Sequence, residues 1–149
     1  MTPEEAVVER LSTIAAVTAL VGTRIYQLKV AQKSAYPAIR VQLISGQIPY
    51  HLRGPANMNP ARVQVDAYAQ ETSGTNPYAG ATVVADAIEG DWETGTPPNG
   101  LGGFRGQLGG SPPLIEVVIL PIDRSVSYEA EELRLVRVRQ DFVVWWKRI

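Results

Sequence analysis

The sequence contains no cysteine and a single histidine, His51, among its 149 residues. Without cysteine the chain cannot form disulfide bonds or thiolate metal sites, and it has no cysteine nucleophile. His51 is the one imidazole that could act as the general base of a small hydrolase. It lies in a loop rich in proline and glycine, and no G-x-S-x-G nucleophile motif accompanies it. We therefore expect no enzymatic activity and no cofactor.

The chain also lacks a surplus of either charge, since 14 basic and 15 acidic residues leave a net charge of −1. Proteins dedicated to DNA binding usually carry a basic patch and a high pI, so this class is not indicated. No apolar run approaches the length of about 20 residues that a transmembrane helix needs. The first ten residues are acidic and polar, unlike a signal peptide. We expect no membrane contact.

What the sequence does contain is alternation, most clearly in its C-terminal segment, residues 133–149. Apolar and charged residues alternate there with a period of two, which is typical of a β-strand. One face would carry Val136, Val138, Phe142, Val144 and Trp146. The other would carry Leu135, Arg137, Arg139, Asp141, Val143 and Trp145. Because this segment has no glycine or proline, we predict a long central strand on which other strands pair.

Two helices are predicted from their start and stop signals. Residues 2–5 (TPEE) combine a capping box with proline at the first helical position, and the helix that follows ends at Gly22. Residues 76–77 (NP) repeat the cap-then-proline signal, and the second helix ends near Gly90.

Alternation predicts further strands over residues 38–45, 61–69 and 114–122. Successive strands without an intervening helix pair as antiparallel hairpins. We therefore predict one domain over residues 1–149, of the α+β class. Its four-stranded, mainly antiparallel sheet would be covered by two helices on one face, in the order α-β-β-α-β-β.

Residues 91–113, just before the third predicted strand, are rich in glycine and proline. They predict a long loop, and loops of this length are frequently functional. Phe104 and Arg105 stand among small residues in this loop, and such a pair is typical of contact anchors. We predict that residues 95–113 reach a neighbouring subunit or an adjoining ring.

Two adjacent indoles, Trp145 and Trp146, would lie on opposite faces of the last strand. One belongs to the core, and the other needs cover from a helix, a loop or a neighbouring subunit. Arg137 and Arg139 share the face of Trp145, so that face suits a subunit interface as well as it suits solvent. The candidate contact residues are therefore Phe104, Arg105, Arg137, Arg139 and Trp145.

Two further clusters resemble binding sites without completing a motif. Residues 100–110 (GLGGFRGQLGG) neither follow a predicted strand nor contain the G-K-[ST] of a phosphate-binding loop. A group of carboxylates at the end of the second helix lacks a calcium-loop pattern and a histidine. Its members are Asp86, Glu89, Asp91 and Glu93. A flexible loop and a solvated helix end are the favoured interpretations, so no metal site is predicted.

Four segments, in order, resemble the tail-completion, or tail-terminator, family of long-tailed bacteriophages and phage-like particles. They are residues 17–26 (VTALVGTRIY), 36–46 (YPAIRVQLISG), 61–69 (ARVQVDAYA) and 139–146 (RQDFVVWW). Each segment alone is weak, but the ordered set covers nearly the whole chain. Residues 93–113 depart from the family pattern by their length and glycine content.

The resemblance implies a structural virion protein without cofactors. Family members form a ring, typically of six subunits, which caps the tail tube, ends its polymerisation and joins the tail to the head connector. The partners implied are further copies of the chain, the tail-tube protein and the head–tail connector or stopper. DNA would only pass through the lumen, which suits a chain without a basic surplus. The implied location is the tail or neck of a particle assembled in the cytoplasm of the bacterial host.

Two alternatives remain open from the sequence. One is another head–tail adaptor or a tail-tube subunit with similar strand patterns. The other is a small hydrolase that uses His51.

Overall fold

The computed structural model describes residues 1–55, 57–71, 76–93, 98–130 and 134–149, without the side chains of residues 51, 54, 55, 129 and 130. Within these ranges the chain forms three helices, α1 (Pro3–Thr13), α2 (Ala15–Val21) and α3 (Pro77–Glu89). The strands are β1 (Ile25–Gln27), β2 (Ala38–Gly46), β3 (Tyr50–His51), β4 (Gly54–Pro55), β5 (Asn59–Gln70), β6 (Arg105–Leu108), β7 (Ile115–Ala130) and β8 (Leu135–Arg148).

Six strands form one curled, mixed sheet in the order β1-β2-β5-β8-β7-β6. β1 runs parallel to β2, and every other neighbouring pair is antiparallel. β3 and β4 form a separate two-stranded hairpin between β2 and β5. The predicted four-stranded antiparallel sheet with two covering helices is therefore wrong.

Three local features account for the difference. β1 has three residues and β6 has four, so neither is long enough to show a period of two. The predicted connection over residues 123–132 is largely the second half of β7, which continues to Ala130. A shift of register between Pro121 and Asp123 disturbs the alternation there and hides the continuation of the strand.

The central position of β8 is confirmed, because it pairs with β5 along one side and with β7 along the other. Its two predicted faces are also confirmed. Val138, Phe142 and Val144 are fully buried on the side that packs against the helices, with Val63, Val65 and Ala67 of β5 beside them. Burial of these apolar side chains between sheet and helices supplies the main stabilisation of the fold.

The helix ends follow the sequence signals. Thr2 and Glu5 form the predicted capping box, and the Thr2 N–H donates to Glu5 Oε2 at 2.8 Å. Asn76 caps α3, and Gly22 and Gly90 end α2 and α3 with positive φ angles. The first predicted helix is divided in two at Ile14, whose backbone is extended and whose side chain is buried.

The glycine-rich segment before β7 is built into the fold over residues 98–113, while residues 94–97 lie outside the described structure. Leu101 is fully buried, and its N–H donates to the Ile88 carbonyl at 2.8 Å. A Cβ atom on Gly100 would lie 2.6 Å from the carbonyl oxygen of Glu89, so only glycine fits there. The predicted long loop is therefore wrong over residues 105–108, which form β6, and Gly100 lets the preceding part pack tightly against the end of α3.

Candidate assembly surface on the open face of the sheet

All three helices pack against one face of the sheet, and we call the opposite face the open face. It carries every second residue of the strands, which align in rows across the sheet. One row runs from Arg40 through Asp66 and Arg139 to Ser125. No helix in the described ranges contributes to the core from this side. The order of side chains on the open face thus follows directly from strand register.

Asp66 lies at the centre of the open face and is nevertheless 0% exposed. Arg40 donates from Nε and Nη2 to Asp66 Oδ2, at 2.9 and 2.5 Å. Gln64, two residues away on the same strand, donates from Nε2 to both carboxylate oxygens at 2.9 Å. Burying a carboxylate costs free energy of desolvation, and the hydrogen bonds from Arg40 and Gln64 compensate for that cost here.

Asp141 on β8 forms a second centre and is 3% exposed. Arg62 Nη2 donates to Asp141 Oδ2 at 2.7 Å, and Arg139 Nε lies 4.0 Å from the same oxygen. The hydrogen bond to Asp141 raises the pKa of Arg62. Asp141 Oδ1 is buried and has no hydrogen-bond partner among the described residues.

Tyr68 borders the polar area on β5, where that strand pairs with the start of β2. Burial raises the pKa of its phenol, with a further contribution from the charge of Asp66. The Arg40 guanidinium lies 5.9 Å from the centre of its ring. The neutral phenol is therefore the form that fits beside the carboxylate.

The other end of the open face is apolar. Trp145 is 38% exposed and lines a shallow depression with Met58, Val118 and Arg105. Trp145, Val118 and Arg105 are neighbours in one row across β8, β7 and β6. An exposed indole beside a guanidinium is the composition that protein interfaces favour.

Four of the five predicted contact residues lie on the same face of the sheet. Arg105, Arg137, Arg139 and Trp145 share the open face, because strand register places them on the same side. Phe104 lies on the other side, half-buried against the core, with the Arg10 guanidinium 4.2 Å from the centre of its ring. Arg10 also donates to the carbonyls of Pro98 and Gly100.

Sequence reasoning missed the two buried carboxylates as centres of this surface, together with Arg40 and Arg62. A signal was present, because β5 reads Arg62, Gln64, Asp66 with a period of two. β8 reads Arg137, Arg139, Asp141 with the same period. Two interior strands with charges on one face indicate paired charges across the sheet.

The remaining candidates stay outside this surface. The side chain of His51 lies beyond the described part of the structure. Asp86 pairs with Arg124 at 2.9 Å on the helix side. Among the residues that the structure describes, no three potential metal ligands cluster and no helix is long and apolar enough to cross a membrane.

Comparison with known proteins gives three findings. The family model described as "Tail completion protein gp17" matches residues 5–146. No curated protein matches the sequence. A chain in a solved structure titled "Virion of native gene transfer agent (GTA) particle" shares the fold, with a TM-score of 0.55 and 16% identity. That match covers 96% of this chain and 92% of the other.

Proposed function

The chain belongs to the tail completion protein gp17 family, and from this premise we propose that it forms a closed ring, typically of six subunits, that caps the tail tube. The family is one of structural proteins of phage-like tails, so the chain is a virion protein of the tail or neck and not an enzyme. In the proposed role the ring ends polymerisation of the tail-tube protein and joins the tail to the head connector or stopper.

The observation that carries this proposal is the open face. It orders a network of charges around two buried carboxylates and adds an exposed indole, without any helix cover in the described ranges. A sheet face this ordered is already preorganised, so covering it costs little side-chain entropy. We propose that Arg105, Arg137, Arg139 and Trp145 contact the neighbouring subunit or the adjoining ring.

Phe104 has a different part in this proposal. Its ring packs against the core and under Arg10, and a Cβ on Gly106 would lie 2.7 Å from it. It supports β6 from the helix side, and β6 presents Arg105 on the open face. Phe104 therefore acts on assembly through the position of its neighbour.

The net charge of −1 is consistent with a ring whose lumen lets DNA pass. Strong binding to phosphates requires clustered basic groups, and the arginines of the open face are partly neutralised by Asp66 and Asp141. Assembly would take place in the host cytoplasm together with the other tail proteins.

The proposal is tested by particles that carry Trp145→Ala, with Trp92→Ala as the matched control. The two indoles have nearly the same exposure, 38% and 41%, but Trp92 lies outside the open face, on the segment that follows α3. Electron microscopy should show unjoined heads and tails, or tails of irregular length, for Trp145→Ala only. Normal particles with both variants, each folded in isolation, would contradict the role of the open face.

The location of the chain within the particle tests the ring itself. A reconstruction should show one ring of this chain at the head-proximal end of the tube. Many copies stacked along the tube would instead identify a tail-tube subunit, and a ring within the head-proximal connector would identify a different adaptor. His51→Ala should leave particle yield and infection or transfer unchanged.

A further inference from the structure

Between β2 and β5 the chain leaves the six-stranded sheet and forms the β3–β4 hairpin, and we call residues 47–55 the arm. Every second residue of the arm from Ile48 to Leu52 is apolar. All three are exposed, Ile48 by 54%, Tyr50 by 72% and Leu52 by 107%, and none belongs to the core. Exposed apolar side chains grouped in this way indicate a contact with another molecule.

The second half of β7 forms an edge of the sheet. β6 pairs with β7 only from Ile115 to Val118, and no strand in the described ranges pairs with the outer side of β7 beyond Ile119. In an antiparallel pair the backbone groups of alternate residues point toward the partner strand and away from it. Ile119 points away from β8, because its N–H donates to the Phe104 carbonyl and its carbonyl accepts from the Gly103 N–H.

Strand register shows which later residues of β7 point the same way. Val126 pairs with Val138 of β8. Six positions separate Val138 from Val144, which is the partner of Ile119. Because six is an even number, the N–H and carbonyl of Val126 also point away from β8, and so do those of Tyr128 two residues later. No hydrogen bond from the described part of the chain reaches these groups on the outer side.

The first part of this edge is protected against pairing. Pro121 has no N–H, a register shift follows it, and the Arg124 N–H donates to Asp123 Oδ1 at 2.8 Å. Such features keep edge strands from adding further strands. Val126 and Tyr128 lie beyond them, and their side chains are 49% and 50% exposed on the helix side. This part of the edge therefore combines open backbone groups with exposed apolar side chains at every second residue.

We propose that the arm of one copy adds as a further strand to β7 at Val126 and Tyr128 of the neighbouring copy. An open strand edge is recognised by an extended segment, because main-chain hydrogen bonds supply the affinity. Among the described strands only β3 and β4 lie outside the main sheet, and β4 occupies just one side of β3. Ile48, Tyr50 and Leu52 would then lie against the apolar side chains of the edge. The inference rests on the ring proposed above and assigns one of its subunit contacts.

The arm cannot reach this edge within its own chain. Its base lies beside Pro60, because the Gln47 N–H donates to the Pro60 carbonyl at 3.0 Å. Pro60 pairs with Trp145, seven residues along β8 from the partner of Val126, or roughly 24 Å at about 3.4 Å per residue. The five residues from Gln47 to Leu52 span at most roughly 18 Å. The occupant is therefore the arm of a second copy. Because arm and edge are different surfaces, each copy uses both in a head-to-tail contact, which can close a ring.

The absence of cysteine makes a direct test possible, because an introduced pair of cysteines has no native competitor. Particles are made with Leu52→Cys and Val126→Cys together, and separately with Leu52→Cys and Tyr128→Cys, since the register of the added strand decides which pair is closer. After mild oxidation, at least one pair should give a ladder of cross-linked multimers on a non-reducing gel.

The matched control is Leu52→Cys with Leu28→Cys. Leu28 is 66% exposed and follows β1, at the opposite edge of the sheet. This pair should give no ladder, and neither should any of the single variants. A ladder from the control pair would show that the arm does not select the edge of β7, and it would overturn the inference.

The remaining outcomes separate the arm contact from the ring. A ring of this chain at the end of the tube, without a cross-link from either test pair, would overturn the arm contact and leave the ring standing. Dimers without larger multimers would indicate that two copies exchange arms reciprocally, which would overturn the head-to-tail contact. A ladder from particles that have no ring of this chain at the tube end would support the contact and reject the proposed ring.

A second measurement isolates the backbone of the edge. Val126→Pro removes the outward N–H and leaves the ladder with β8 in place, whereas Val126→Thr keeps that N–H and changes only the side chain. Val126→Pro should sharply lower the fraction of joined particles, and Val126→Thr should lower it much less. Circular dichroism of the isolated chains checks that both variants fold. Normal joining by a folded Val126→Pro chain would overturn the addition of a strand.

Discussion

Both faces of the sheet bury side chains near its centre, but they do so by different means. On the helix side Val65 and Phe142 are fully buried under α1 to α3. On the open face Asp66 and Asp141 are also almost fully buried, although the side chains that cover them belong to arginines. Long arginine side chains can shield a carboxylate while their own guanidinium groups stay partly in water.

Under the proposed function, this difference assigns stability to the helix side of the sheet and assembly to the open face. Apolar burial on the helix side is insensitive to what lies outside the chain, because the helices are part of the same molecule. Burial on the open face relies on ion pairs whose arginine members are partly solvated. The helix side therefore maintains the fold, and the open face carries the surface proposed for assembly.

Truncating the central residue of the helix side should have the largest effect on stability. Phe142→Ala removes a fully buried ring, and such changes lower the free energy of unfolding by about 3–5 kcal/mol. Its neighbour Val143, half-buried on the open face, is the control, and Val143→Ala should cost about 1 kcal/mol. Urea denaturation of both variants measures the contrast. Equal losses would show that the two faces contribute alike.

Removing a buried charge from the open face should have the next largest effect. Asp66→Ala leaves Arg40 and Gln64 without their acceptor, and lost hydrogen bonds to a charged group cost about 2–3 kcal/mol. The double change Asp66→Leu with Arg40→Met should be much closer to neutral, since it removes both charges together. Chemical denaturation compares the two. If the double variant is as unstable as Asp66→Ala, then the ion pair itself stabilises this face. The loss in the single variant would then not arise from the unpaired charge that it leaves.

The neighbours Phe104 and Arg105 sharpen the comparison, because Phe104, which directly precedes β6, and Arg105, the first residue of β6, lie on opposite faces of the sheet. Phe104→Ala should lower the free energy of unfolding by about 2 kcal/mol, through lost packing and the lost contact with Arg10. Arg105→Ala should change stability by less than about 0.5 kcal/mol and should weaken head–tail joining. Thermal melts and particle counts provide the two readouts. A large loss of stability from Arg105→Ala with little from Phe104→Ala would contradict the roles assigned to the two side chains.

The smallest expected effect is a pH dependence that arises from Tyr68. Its pKa is raised above the usual 10.0 by burial, so the unfolded chain loses this proton at a lower pH than the folded chain does. The folded state then binds more protons, and stability falls as the pH rises through and above 10. Tyr68→Phe should remove this part of the decline while other groups continue to titrate. The contribution of Tyr68 amounts to roughly one proton at most. If the free energy of unfolding has the same slope against pH in the parent chain and in Tyr68→Phe between pH 9 and 11, that contribution is refuted.

Short-range chemistry made much of the fold predictable. Capping residues, glycine stops and a period of two act between residues close in sequence, so both helix starts and the strands β2, β5 and β8 were found. The two faces of β8 followed from the same alternation, including the burial of Phe142 and the exposure of Trp145. β1 and β6 were not predicted as strands of the sheet, because three or four residues cannot display a period.

The sequence by itself determined on which face of the sheet each residue of a long strand lies, because alternation is a local property of an extended backbone. It could not supply the order of the strands, since pairing such as that of Asp66 with Arg40 or of Arg62 with Asp141 joins residues 26 and 79 positions apart. That order alone decides that the charges of β5 and β8 neutralise one another. It also decides which charges share a row across the open face, such as Arg40, Asp66 and Arg139.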